Sequence, residues 1–259
     1  MEVHHHSNHP KKWKEYITEF LMLFLAVTLG FMAENIREHQ VEKQREIKNL
    51  QNVHQDLQRD IKEIDTTIAF LDQKQLLADS LFVLIKNKEI FNNLPAFYYY
   101  SKNLSFRHLF ENSDNGFTQL KSTGGLRLIE NPEIIEKIQD YTTTLNRTMS
   151  LQELNETSGI SYNSKLSKML NVETVVEMND DQIVPKVSTT YNHNRYLYPN
   201  NPSPLFDTNQ TDLNELFNIL YGIINRNKYF RARLLGVKKA ATELDNLIVK
   251  EYGKNFKNK

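Results

Sequence analysis

The chain of 259 residues contains no cysteine. That absence excludes a disulfide framework, a thiolate nucleophile and a Cys-ligated zinc or iron–sulfur centre. Helix breakers are scarce: there are eight glycines and seven prolines, and Gly30 is the single glycine between Pro10 and Pro95. Such a stretch favours continuous helix. A second quiet stretch runs from Pro204 onward, broken only by Gly222, Gly236 and Gly253. An excess of one charge is also missing. Thirty-two basic residues balance thirty-two acidic ones, which argues against a nucleic-acid binder built on clustered Lys and Arg. No Gly-rich phosphate loop, H-E-x-x-H zinc motif, G-x-S-x-G elbow or kinase signature occurs, so neither an enzyme nor a cofactor is expected.

What the chain does have is one long apolar run. Phe20, Leu21, Met22, Leu23, Phe24, Leu25, Ala26, Val27, Thr28, Leu29, Gly30, Phe31, Met32 and Ala33 carry no charge, and Tyr16 extends the run if Glu19 sits at an interface. At about 1.5 Å per residue the run spans roughly 21 to 27 Å, close to a hydrocarbon core of about 30 Å. Trp13 and Tyr16 stand where an interfacial aromatic belt belongs, preceded by Lys11, Lys12 and Lys14. A cleaved signal peptide fits poorly, because Glu15 and Glu19 crowd the basic region and Phe31 would occupy the −3 position. A buried core helix is the other alternative. The reading taken is a transmembrane helix over 16–35 after a short basic, His-rich tail over 1–15. Three lysines precede the run and only Arg37 closely follows it, which favours a cytoplasmic N-terminus and an extracytoplasmic C-terminal domain. Ala26, Gly30 and Ala33 fall near one face, a spacing that lets two membrane helices approach.

Beyond the run the pattern is helical. Ile47, Leu50, His54, Leu57, Ile61, Ile64, Ile68 and Leu71 alternate in steps of three and four, a heptad seam with His54 as its polar member, and the other faces read as charged and solvated. A long helix is expected over 36–90. Near the C-terminus a seam from Leu213 to Ile248 keeps the same alternation, with Asn227 as its polar member, predicting a helix over 212–252. Asn131-Pro132-Glu133 is a helix start signal, and Ile134, Ile138, Tyr141 and Leu145 follow on one face, predicting a helix over 131–168. A shorter helix is expected over about 114–123. Residues Val172 to Tyr191, rich in Val and Thr, read as an extended excursion or hairpin within an irregular region near 172–209. The expected fold is all-α: a membrane helix continuing into a long helix of an antiparallel bundle over 36–259.

The N-terminal sequence EVHHHSNHPKKWKEYITEFLMLFLAVTLGFMAENIREH, with the later FTQLKSTGGLRLIENPEIIEKIQDY, resembles a family of uncharacterised single-pass membrane proteins from Bacteroidota, flavobacteria and relatives. The resemblance covers about the first 45 residues and 117–141. It implies an inner-membrane protein with a helical domain, and it transfers no functional residue.

Candidate chemistry is thin. His4, His5, His6 and His9 are weak candidates for a metal site, since they lie without a carboxylate or supporting shell, and a solvated tail is the plainer reading. Glu19 could line an ion path or face headgroups. His54 and Asn227 read as register-setting polar residues that pair with each other across the bundle. Phe97, Tyr98, Tyr99 and Tyr100, with Phe106 and Phe110, form an aromatic patch suited to packing. Tyr191, His193, Arg195, Tyr196 and Tyr198 are the preferred contact surface, because loops carry function. The expected role is a non-enzymatic interaction or scaffold protein anchored in the inner membrane, contacting the bilayer and a protein partner or second copy. The alternatives are a ligand-sensing bundle acting through a membrane partner and an accessory subunit of an ion-driven membrane complex.

Overall fold

The computed structural model describes residues 12–179 and 196–256, and the fold is all-α. Helix α1 runs without interruption over Trp13–Lys86, 74 residues and about 111 Å. Its first buried residue is Glu46, so the apolar run and the polar stretch after it project from the bundle. Scarcity of glycine and proline permits the length. The end is set by a left-handed turn at Lys88 (φ 58°), which lets Lys88 N–H donate to Ile85 O and Glu89 N–H donate to Leu84 O, a Schellman closure made without glycine.

Five further helices occur among the described residues: α2 (Leu94–Ser105), α3 (Asn115–Ser122), α4 (Pro132–Met169), α5 (Val172–Glu177) and α6 (Gln210–Tyr252). Asparagine side chains accept first-turn amides at four of the five starts, at Asn93, Asn131, Asn171 and Asn209. The three long helices form the frame. α6 lies antiparallel to both α1 and α4: Lys238 pairs with Asp65 at 2.6 Å, Arg231 with Asp72 at 2.7 Å, and Lys137 with Glu243 at 2.7 Å. The chain therefore returns to its starting level, where the Tyr252 hydroxyl donates to Glu46 at 2.5 Å.

Two hydrophobic clusters fill the frame. The one nearer the apolar run joins Leu50, Leu57 and Ile64 of α1 to Ile134, Ile138 and Tyr141 of α4 and to Leu234, Val237, Leu244 and Ile248 of α6. The distal one joins Leu77 and Leu81 to Phe97, Tyr98, Tyr162, Leu166, Leu216 and Leu220. Burying such side chains stabilises by about 1.5–3 kcal/mol each.

Four expectations need correction. The long helix ends at Lys86 rather than near residue 90. Residues 94–105, expected only as an aromatic patch, form α2, because Asn93 caps it and Pro95 suits its first turn. Residues 172–177 are helical rather than extended, because Asn171 caps Glu173 N–H and Thr174 is buried beneath it. Among the described residues the excursion's only β feature is an isolated bridge between Asn179 and Tyr196.

The fourth correction concerns α1. A second row, Glu46, Asn49, Val53, Asp56, Asp60, Glu63, Thr67, Phe70 and Lys74, keeps the same alternation and is largely buried rather than solvated. The segment over 103–130, which includes α3, lies across it and supplies partners. Asp56 accepts Gly116 N–H at 2.6 Å and so caps α3 from another helix, since α3's own N-cap, Asp114, makes no side-chain cap. Asp60 accepts Ser113 N–H at 2.6 Å and the Tyr141 hydroxyl, and Glu46 accepts Glu130 N–H at 3.0 Å. A Cβ at Gly116 would fall 2.7 Å from the Asn52 carbonyl carbon, so the close approach of α3 to α1 requires glycine.

Candidate functional site

The apolar run stands fully outside the bundle. Every residue of Phe20–Ala33 is exposed except Thr28, which is half-buried and donates to Phe24 O at 2.8 Å. Among the described residues, α1 is the one helix long and apolar enough to cross a membrane by length and composition, and none of its apolar window is buried. Fully exposed Leu, Phe and Met along more than three turns are costly in water and favourable in lipid. Glu19 sits on this exposed segment.

The sequence-derived contact surface is placed only in part. Tyr191, His193 and Arg195 lie outside the described residues, as do His4, His5, His6 and His9. Tyr196 is half-buried and held through its backbone: Asn103 accepts Tyr196 N–H and donates to Tyr196 O, both at 3.1 Å, while the Lys102 ammonium lies 5.1 Å from the Tyr196 ring. Tyr198 is exposed and leans on Tyr99, with ring centroids 5.4 Å apart. Tyr98 is buried and pins both ends of the excursion, donating to Ser203 O at 3.1 Å and accepting Asn171 N–H at 2.9 Å. These residues fasten the excursion to α2, so Phe97 and Tyr98 pack as the sequence suggested.

His54 and Asn227 do not pair. His54 Nδ1 lies 2.6 Å from Asp245 Oδ1, and Asn227 accepts from Asn155 of α4 at 3.0 Å. The antiparallel register of α1 and α6 sets position 54 against 245, far from 227. Among the described residues no cluster of three or more His, Asp or Glu is arranged to hold a metal ion.

The feature that sequence reasoning missed lies at the joint between the two hydrophobic clusters. A partly open cavity of about 70 Å³ is lined by α1, the segment after α2, α4 and α6. Its apolar wall includes Phe70, Leu104, Phe106, Leu220, Ile224 and Phe230, and its polar wall includes Lys74, Arg107, His108, Gln152, Asn155 and Asn227. Lys74 is 4% exposed. Its ammonium donates to Asn103 O and lies 5.0 and 5.8 Å from the Phe70 and Phe106 rings, and among the described residues no carboxylate forms an ion pair with it. Burial pushes its pKa well below the ordinary lysine value. Arg107 donates to Glu156 O at 3.1 Å and fits because position 159 is glycine, where a Cβ would meet Arg107 Cδ at 2.8 Å. His108 is tied to Glu63 at 3.0 Å and Thr67 at 3.2 Å. Burial raises the Glu63 carboxyl, and nearby Glu111 adds to the shift. No local sequence pattern announces the cavity, because its lining comes from four separate pieces of chain.

No protein-family model, curated protein or solved structure matches this chain.

Proposed function

We propose that this protein is a membrane-anchored, non-enzymatic interaction or scaffold protein of the cell envelope, in keeping with the inner-membrane family of Bacteroidota that its sequence resembles. Residues 20–33 cross the inner membrane with the N-terminus cytoplasmic, and the bundle stands outside the cytoplasm. The observation that carries this reading is the continuity of α1, which runs from the exposed apolar run to the bundle core with no break. About 18 Å of polar helix, residues 34–45, separates the run from the first buried residue. A bundle on such a stalk is held at a fixed height and offers its outer surface to another envelope component.

The test is affinity capture of the natively expressed protein from its own membranes in mild detergent, with copurifying proteins identified by mass spectrometry. A reproducible envelope partner in fixed stoichiometry is expected. Recovery of the protein alone would contradict the scaffold reading. One observation favours a second reading, a ligand-sensing bundle acting through a membrane partner: the cavity beside Lys74 abuts the same helix that carries the apolar run.

A further inference from the structure

Lys74 buries an amine that has no carboxylate partner among the described residues. Taking an ammonium out of water costs several kcal/mol, and one carbonyl and two ring faces offset only part of that. An ammonium has three N–H donors, and Asn103 O accepts one of them. Asn103 O also accepts Phe106 N–H at 3.3 Å, so the carbonyl does not depend on Lys74. The lysine is therefore not explained as a structural tie.

The cavity beside it has the complementary character. Among the described residues Glu156 is the single carboxylate residue in its lining, against Lys74 and Arg107, neither of which has an ion pair there. An open groove of about 520 Å³ adjoins it, sharing Ser105, Phe106, Arg107, Leu109 and Glu156 and adding Lys102. An entering anion would thus pass Lys102 and Arg107 before reaching Lys74. Size narrows the choice. A volume of about 70 Å³ suits a ligand of only a handful of non-hydrogen atoms, with room for one end to reach toward the adjoining groove. Phe70, Phe106 and Ile224 require that most of them be apolar.

We propose that this cavity binds a short-chain monocarboxylate of about three to five carbons, its carboxylate paired with the Lys74 ammonium and its alkyl chain lying among Phe70, Phe106, Leu220 and Ile224. The proposal rests on the ligand-sensing reading only for its biological meaning; occupancy of the site stands by itself.

The experiment is thermal unfolding and calorimetric titration of the full-length protein in lipid nanodiscs with sodium butyrate, against butanol, butylamine and sodium chloride at equal concentration. Butyrate is expected to raise the unfolding temperature in a saturable manner, with propionate and valerate close behind and the three controls inactive. Lys74→Met is expected to weaken butyrate binding at least tenfold while unfolding at or above the wild-type temperature. No saturable butyrate effect up to about 10 mM, or equal stabilisation by butanol or chloride, overturns the proposal, and this comparison needs no variant to fold. The absence of native cysteine allows a single spin label at Gln40→Cys on the stalk. Butyrate binding without any change at that label would refute the sensing reading and leave the site in place.

Discussion

His54 and Asp245, 191 positions apart, meet at 2.6 Å where α1 crosses α6, and Gln58 donates to the other carboxylate oxygen at 2.5 Å. Asp245 is buried, and the His54 ring also stacks on Phe256 with centroids 5.5 Å apart. One acid thus fixes the register of the two longest helices. Asp245→Ala leaves two side chains short of an acceptor and is expected to cost about 1–3 kcal/mol. Asp245→Asn, which retains one acceptor oxygen, should cost less. Urea unfolding of the two variants checks the order, and equal losses would show that the carboxylate has no special role.

Asp60 holds the segment before α3 and the middle of α4 at once, through Ser113 N–H and the Tyr141 hydroxyl. Asp60→Ala leaves the buried Tyr141 hydroxyl and the half-buried Ser113 N–H without this acceptor, and a loss of about 2–4 kcal/mol is expected. Tyr141→Phe removes one donor and leaves Asp60 with Ser113, so about 1 kcal/mol is expected. Burial raises the Asp60 carboxyl above its ordinary value, and the hydrogen bonds from Ser113 and Tyr141 oppose that shift. Amide exchange should show α3 opening in Asp60→Ala well before the α4–α6 pair does.

The Lys74 amine gives a pH signature of known sign. Its folded pKa is depressed, so between that value and the ordinary 10.5 the unfolded chain binds more protons than the folded one. Its contribution is complete above 10.5 and is lost as pH falls through the folded value. Lys74→Met removes this dependence, so the variant's advantage in denaturant midpoint should shrink as pH rises toward 10.5. A difference that stays constant from pH 7 to 10.5 would contradict a depressed lysine.

Lys88 occupies the left-handed position after α1 at φ 58°. A side chain there costs about 1 kcal/mol relative to glycine. Lys88→Gly should therefore stabilise the bundle by about 0.5–1 kcal/mol, read from thermal unfolding, with no change in membrane association. A destabilised variant would mean that the Lys88 side chain contributes packing of its own.

What the sequence made legible and what it hid have separate physical causes. The seams at Ile47–Leu71 and Leu213–Ile248 follow from helical periodicity, which is local, and both line the bundle interior, with Ile47, Ile61, Ile68 and Ile223 only partly covered. Asn131-Pro132-Glu133 starts α4 as read, since Asn131 accepts Glu133 N–H at 2.8 Å. Asn93-Leu94-Pro95 carries a similar start signal for α2, yet beside Asn92 it reads equally as a turn. The polar row from Glu46 to Lys74 was invisible for a different reason. A carboxylate on a helix is ordinarily solvated, and only the segment over 103–130, distant in sequence, buries Asp56 and Asp60. The cavity beside Lys74 is likewise made by four separate pieces of chain. The expectation that His54 meets Asn227 failed because seam pattern gives a face, not a register.

Alkaline carbonate extraction of cell membranes tests most directly whether α1, continuous with the bundle, anchors the protein in a membrane. The intact chain should stay in the membrane pellet, and a variant with Leu23, Leu25, Val27 and Leu29 all changed to Asn should move to the soluble fraction with its bundle still folded. Release of the intact chain by carbonate would contradict the anchor and, with it, the proposed role.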